Sequence, residues 1–207
     1  EIMLVFAFFF SCLMVVYFSL NSVSALDDGF FHIRLAQLVR QNGLDIFTHF
    51  KWIYFSTIAQ NNEYLVYYSF LFHLFIIPFT WIQPLFLGLK LYSVILAAGA
   101  LTLFYLALKK LEVKQPWFWT LIGFSLMGPT FIFRLTLGRP FVLTPALLLT
   151  LFWLLRKNKR WEAGLLSFFY VFWHSPTFFF PPAIALIHLI VQKFNRQKIN
   201  WQLFLTT

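Results

Sequence analysis

The stretch LYSVILAAGALTLFYLAL, residues 91–108, decides the fold class, because it holds no charged residue and the basic cluster KKLEVK follows it directly at 109–114. An α-helix rises about 1.5 Å per residue, so a helix that begins near residue 85 is long enough to cross the roughly 30 Å hydrocarbon core of a bilayer. Basic residues beside such a stretch are enriched on the cytoplasmic side. This segment therefore predicts a transmembrane helix and its orientation.

The composition of the whole chain supports the same interpretation. The 207 residues are 60% hydrophobic, 22% aromatic and only 11% charged, whereas charged residues make up about a quarter of a typical soluble protein. The net charge of +9 comes from small clusters between apolar stretches, which indicates membrane orientation and no nucleic-acid partner. The single cysteine, Cys12, lies within an apolar run, which excludes a disulfide scaffold. The sequence predicts an integral membrane protein surrounded by membrane lipids.

Basic clusters at 109–114, 156–160 and 193–198 hold ten of the sixteen Lys and Arg residues and set the predicted topology. If all of them are cytoplasmic, an even number of crossings separates each cluster from the next. The predicted spans are 2–20, 85–108, 117–133, 140–155, 162–174 and 176–192. The prediction is thus an all-α, polytopic transmembrane helical bundle of about six spans, a single module over 1–207, with its active face extracytoplasmic.

The first external loop is predicted to occupy residues 21–83 and to contain two helices. Apolar residues recur at helical spacing over 29–42, and Gly43 can supply a left-handed stop, so this stretch predicts an amphipathic helix. Tyrosine, serine and histidine mix with leucine and phenylalanine over 64–79, which is typical of a helix at the headgroup level that ends at Pro78.

The two ends of the chain leave alternatives open. The first apolar run, 2–20, is also compatible with a signal peptide cleaved before Asp27, although it exceeds the usual apolar region of about 7–15 residues. The chain begins without Met and stops at Thr207 as a new apolar stretch opens. We therefore interpret it as the N-terminal part of a longer protein.

The acidic pair Asp27 and Asp28 follows the first span and opens the motif DDGFFHIR. Asp28 is predicted at the N-cap of the amphipathic helix, where backbone amides keep a carboxylate ionised, and His32 follows one turn later on the same face. An ionised carboxylate can orient a nucleophile or hold a divalent cation; simple capping is the alternative. We take Asp28 as the candidate catalytic residue, with Asp27 beside it, and His32 and Arg34 as candidate substrate contacts.

Two arginines and a histidine lie at the other predicted external turns. Arg134 and Arg139, in FRLTLGRPF, are candidate phosphate contacts because guanidinium groups bind phosphate through two parallel donors; snorkelling to lipid headgroups is the alternative. His174, in WHSPT, is a candidate contact for a phosphate or a sugar hydroxyl, or a structural residue. His73 and His188 are interpreted as packing or interfacial residues. The set would suit a substrate with a phosphate, a lipid tail and a polar head.

In order and spacing, DDGFFHIR, the interfacial helix, RLTLG and WHSP resemble the N-terminal transmembrane half of the oligosaccharyltransferase catalytic subunit family, within the GT-C class of membrane glycosyltransferases. The resemblance covers nearly the whole chain, although each motif is short. It implies that Asp28, with Asp27 as its neighbour, faces the acceptor and holds a catalytic divalent cation, Mg²⁺ or Mn²⁺.

The chain departs from the pattern of that family after Gly138. Oligosaccharyltransferases carry an Asp-x-Asp or Asp-x-Glu pair shortly after Arg-x-x-x-Gly, whereas this chain reads RPFVLT at 139–144. One carboxylate supplies too few oxygen ligands for Mg²⁺ or Mn²⁺. The resemblance therefore implies a glycosyltransferase that uses a polyprenyl-phosphate-linked sugar donor and Asp28 as general base, with a metal optional and the acceptor unspecified. An authentic oligosaccharyltransferase and a non-enzymatic transporter or lipid-binding scaffold remain alternatives.

Overall fold

A computed structural model describes residues 1–19, 28–43, 69–126, 135, 137–196, 201–205 and 207. Within those ranges every regular element is helical, which confirms the all-α prediction for the described chain. The α-helices are α1 (Ile2–Ser19), α2 (Asp28–Asn42), α3 (Phe70–Ile76), α4 (Leu85–Lys110), α5 (Pro116–Leu126), α6 (Thr144–Arg156), α7 (Arg160–Trp173), α8 (Phe180–Phe194) and α9 (Trp201–Leu205). Short 3₁₀ turns occupy Ile77–Trp81, Pro140–Val142 and Ser175–Thr177.

Among the described residues, the helical segments long and apolar enough to cross a membrane are Ile2–Ser19, Leu85–Lys110 and Ser175–Phe194. The prediction of about six spans is not confirmed. Helices α6 and α7 contain 13 and 14 residues, and at about 1.5 Å per residue neither reaches across roughly 30 Å of hydrocarbon. The predicted span 117–133 continues beyond α5 into residues 127–133, which lie outside the described ranges.

Helix α4 lies at the centre of the bundle and α1 packs antiparallel to it. Glu1, just before α1, forms an ion pair with Lys109 in the last turn of α4. At the opposite end, the ammonium group of Lys90, near the start of α4, lies 5.6 Å from the centroid of the Phe18 ring. Buried side chains of α1 join the same apolar core as those of α4, so α1 is an integral part of the packed bundle.

The basic clusters meet at one end of the bundle, which we call the basic end and define by residues 109–114, 156–160 and 193–196. Lys157 Nζ lies 3.6 Å from a carboxylate oxygen of Glu112, which joins the first two clusters. Helix α9, which follows the third cluster, returns to the start of α7, where Arg160 donates a hydrogen bond to the Gln202 side chain. The bundle therefore brings its basic clusters together at one end.

Two helices lie in the stretch predicted as the first external loop. Helix α2 is followed by Gly43 at φ 72°, and the Gly43 N–H donates to the Val39 carbonyl at 2.8 Å, which is the left-handed stop that the sequence predicts. Helix α3 ends at Ile76 and continues as the 3₁₀ turn Ile77–Trp81, in which Pro78 has no N–H to extend the α-helical hydrogen bonds. The predicted interfacial helix at 64–79 begins outside the described residues.

Candidate functional site

The first turn of α2 rests on the loop that carries Arg139, at the end of the bundle opposite the basic end. A Cβ added at Gly29 would lie 2.9 Å from the Leu137 carbonyl oxygen and 3.1 Å from Leu89 Cδ2, so a larger residue would push helix and loop apart. Asp28 is the first residue of α2. The structure thereby brings the start of α2 beside the Arg139 loop, which the sequence places more than a hundred residues later.

Gly138 fixes the conformation of this loop immediately before Arg139. Its φ is 59°, and a Cβ there would lie 2.5 Å from the Ser93 hydroxyl oxygen on α4. A side chain at this position would meet both the penalty of left-handed backbone and a steric clash. The conformational freedom of glycine thus lets the loop pack directly on α4.

Hydrogen bonds from two other helices hold the loop on either side of Arg139. The indole N–H of Trp173, the last residue of α7, donates to the Pro140 carbonyl at 2.6 Å. The hydroxyl of Tyr17, near the end of α1, donates to the Leu135 carbonyl at 2.6 Å. Both donors are buried. The backbone that carries Arg139 is therefore anchored to α1, α4 and α7.

The imidazoles of His32 and His73 pair beside this loop. Nδ1 of His32 lies 2.8 Å from Nε2 of His73, and Nδ1 of His73 lies 2.9 Å from the Ser69 carbonyl oxygen. A carbonyl oxygen can only accept, so His73 donates from Nδ1 and its Nε2 accepts from the Nδ1–H of His32. The directions of both bonds leave Nε2 of a neutral His32 as a hydrogen-bond acceptor.

Both imidazoles are neutral at physiological pH. They belong to α2 and α3, outside the candidate membrane-spanning helices. Burial is the main cause that lowers the pKa of His32 to about 3, and His73 and Arg139 add to the effect. Burial lowers the pKa of His73 to about 4, against a smaller opposing effect of the hydrogen bond to Ser69. The positive charge of Arg139 thus contributes to keeping His32 neutral.

Aromatic rings pack against the His32–His73 pair. Phe72 is fully buried, and its ring makes edge-to-face contacts with His32, Tyr92 and Trp173 at centroid distances of 5.1, 5.6 and 5.4 Å. Such contacts add stabilisation beyond that of buried area alone. One ring thereby joins α2, α4 and α7 around α3, which restricts the movement of both histidines.

Two other predicted residues do not join this cluster through any contact described. His174 follows Trp173, and its Nδ1 lies 2.8 Å from the Thr177 hydroxyl in the next turn. Arg34 is exposed and donates to the side chain of Gln37 on its own helix. His174 is therefore linked to the Arg139 loop only through its neighbour Trp173, which donates to Pro140.

Some predicted residues lie outside the described part of the chain. Asp27 and Arg134 are in this group. For Asp28 the structure describes the backbone, and that backbone lies one helical turn before His32. The predicted geometric relation between Asp28 and His32 along the helix therefore holds at the level of the backbone.

His73 is the residue that sequence reasoning missed, since the sequence indicated only packing or an interfacial position. Its side chain is 2% exposed, and a buried imidazole needs hydrogen-bond partners. That requirement was the available signal, but the partner His32 lies 41 residues earlier in the chain. No local pattern joins the two positions.

The described residues do not make up a divalent-cation site. Among them, no group of three or more His, Cys, Asp and Glu side chains is close enough to hold a metal ion. The His32–His73 pair uses the facing nitrogens for a hydrogen bond, so these atoms are engaged with each other. A Mg²⁺ or Mn²⁺ ion would need oxygen ligands from elsewhere in the protein.

Comparison with protein-family models, curated proteins and solved structures gives no match to this chain.

Proposed function

We propose that this chain is a GT-C-type membrane glycosyltransferase module that takes a sugar from a polyprenyl-phosphate-linked donor. The observation that supports the proposal best is the meeting of the first turn of α2, neutral His32 and Arg139 at one end of an apolar bundle. A guanidinium group suits a phosphate, an uncharged imidazole suits a hydroxyl, and the apolar helices suit a lipid tail.

In this proposal Asp28 is the general base. Its place in the first turn of α2, at the positive end of the helix dipole, favours the ionised carboxylate. An acceptor O–H or N–H attacks C1 of the sugar, Asp28 takes the proton, and the bond between C1 and the phosphate oxygen breaks. The sugar is transferred with inversion and polyprenyl phosphate leaves.

Arg139 neutralises the negative charge that develops on the leaving phosphate. Arg134, earlier in the same loop, is proposed as a second phosphate contact, and His174 as a weaker contact to phosphate or sugar. Arg34 is exposed and donates to Gln37 on its own helix, and we assign it a peripheral role. No step of the proposed reaction passes through a metal ion.

The proposed topology has about six spans, with the basic end cytoplasmic and the site extracytoplasmic. A cysteine introduced by Asn61→Cys in a Cys12→Ser background should react with an impermeant thiol reagent added outside. The matched variant Lys114→Cys, at the exposed basic end, should be protected until the membrane is permeabilised. The reversed pattern would overturn the topology.

Transfer of labelled sugar from polyprenyl-phosphate donors, by membranes that carry the full-length protein, tests the function. Asp28→Asn should abolish transfer, and Arg139→Met should weaken use of the donor more than use of the acceptor. Arg40→Met is the control, since it removes a cation from α2 that stacks on Trp81, 5.4 Å from its ring centroid. Undiminished transfer by Asp28→Asn would remove that residue from the site.

A chelator separates the proposed enzyme from its closest alternative. Transfer that survives the chelator supports a metal-independent base. Strict dependence on Mn²⁺ together with glycosylation of an Asn-x-Ser/Thr peptide would indicate an oligosaccharyltransferase instead. No transfer from any donor would favour a transporter or a lipid-binding scaffold.

A further inference from the structure

The chain of hydrogen bonds from Ser69 through His73 to His32 has a fixed direction. The Ser69 carbonyl can only accept, so each later donor and acceptor is determined by the one before it. Among the described residues no hydrogen bond is made to Nε2 of His32, and this side chain is only partly buried. Within the described part of the chain, this series of hydrogen bonds therefore ends in an acceptor atom, Nε2 of His32, that has no protein donor.

The Ser69 carbonyl, where this series of hydrogen bonds begins, belongs to a residue with a strained backbone. Its φ and ψ are 74° and 51°, a left-handed conformation that residues with side chains rarely adopt. The residue is 3% exposed, and its carbonyl also accepts from the backbone N–H of His73 at 3.4 Å. Such conformations persist where surrounding structure holds them, and they cluster at functional sites.

We propose that His73 is a positioning residue that holds His32 in its Nδ1–H tautomer, so that Nε2 of His32 binds a hydroxyl group of the sugar or the acceptor. The inference rests on the proposed function and specifies the ligand of one atom in that site.

His32 and Arg139 are suited to different groups of the substrate. A neutral imidazole with its proton on Nδ1 offers only a lone pair at Nε2, which repels the oxygens of an ionised phosphate and accepts from a hydroxyl. Arg139 has donors only and suits the phosphate. His73 thereby contributes to specificity without touching the substrate.

Nitrogen-15 NMR of histidine-labelled, full-length protein in detergent micelles tests the tautomer without any need for activity. The His32→Gln variant identifies the resonances of His32 by their loss. We expect protonated Nδ1 and unprotonated Nε2 on His32 at neutral pH, and a mixture of both tautomers in His73→Phe. A protonated Nε2 in the wild-type protein, or an unchanged tautomer in His73→Phe, would overturn the positioning role.

Kinetics with a labelled polyprenyl-phosphate sugar donor test what the atom does. His73→Phe should lower kcat/KM about tenfold, the factor expected for one misdirected hydrogen bond. His32→Phe should lower it further, and His32→Gln should recover part of the loss because its amide oxygen can accept. His188→Phe is the control, since it removes a buried histidine bonded to Gln192 at 3.2 Å on α8.

The two experiments fail in distinguishable ways. Unchanged kcat/KM in His73→Phe and His32→Phe, in an enzyme that transfers sugar, would overturn the hydroxyl contact and leave the proposed function intact. No transfer by the wild-type protein from any donor would overturn the proposed function and the ligand assigned to His32. The spectra would still decide whether His73 sets the tautomer.

Discussion

The two ends of the bundle differ in how far their polar side chains are exposed. At the basic end, Lys159 pairs with Glu162 and Lys157 with Glu112, and the four side chains are 45–83% exposed. At the opposite end, His73 is 2% exposed, and its polar atoms bond to a backbone carbonyl and to His32.

This difference suits the basic end to orienting the protein in the membrane and the opposite end to holding side chains in a fixed geometry. Exposed ion pairs are screened by water and contribute about 0–1 kcal/mol each, so they can mark a membrane face without fixing geometry. A buried polar group that loses its partner costs about 1–3 kcal/mol, so its environment must be built around it. Substitutions at the opposite end should therefore have larger effects than those at the basic end.

The largest effect is expected from Gly138→Ala. Left-handed backbone and the clash with the Ser93 hydroxyl should together cost about 2–4 kcal/mol, measured by thermal unfolding in detergent. Adding Ser93→Ala should recover most of the steric part, because the Ser93 Cβ lies at an ordinary 3.8 Å and the remaining close atom, Leu89 Cδ1 at 3.2 Å, belongs to a side chain. Gly99→Ala, where nothing lies within 4 Å, is the control. Equal stability of the Gly138 and Gly99 variants would contradict the packing described for the loop.

Acid should destabilise the opposite end through the histidines. The pKa of His73 is about 4 in the folded protein and about 6.5 in an unfolded chain. Because the folded value is lower, the unfolded chain binds a proton more readily. The free energy of unfolding is therefore undiminished above about pH 6.5 and falls as the pH falls towards 4. Between pH 7 and 4.5 the wild-type protein should lose about 2 kcal/mol more than His73→Phe in unfolding experiments. Equal losses would mean that His73 is not buried as a neutral group.

Trp173→Phe should cost about 1–3 kcal/mol, because the Pro140 carbonyl loses its donor while remaining buried. The same substitution at the basic end, Trp161→Phe, should change stability little, since that ring is 75% exposed. Comparable losses of thermal stability in the two variants would contradict an anchored Arg139 loop.

The smallest effect is expected from Lys157→Ala at the basic end. Its ion pair with Glu112 is exposed, so removal should change the free energy of unfolding by less than about 1 kcal/mol. The change should shrink further in high salt, which chemical denaturation at two ionic strengths can measure. A loss as large as that of Trp173→Phe would erase the contrast between the ends.

Local pattern predicted the elements of this fold better than their meeting points. Helical periodicity and Gly43 predicted α2 and its end because those signals lie within a few residues of each other. The end of α6 coincides with the basic cluster at 156–160, but its start was predicted at 140 and lies at Thr144, because the 3₁₀ turn Pro140–Val142 is as uncharged as the helix that follows it. Periodicity reports burial, and does not report where a helix begins.

The candidate site depends on contacts between residues that are distant in sequence. The sequence could predict that Asp28 and Arg139 lie at the same end, since span counting gives that result. It could not predict the pairing of His32 with His73, because the pairing follows from how α3 packs between α2 and Trp173. The sequence shows that positions 29 and 138 are glycines, but it could not predict which atoms of other segments pack closely against them.

The location of the donor site can be measured by photo-crosslinking of a diazirine-bearing polyprenyl-phosphate donor analogue to the full-length protein, followed by mapping of the modified peptides. We expect labels on α2, on residues 137–142 and near Trp173, with labelling reduced by Arg139→Met. Labels confined to the basic end, at 109–114 and 156–160, would contradict the assignment of function to the opposite end.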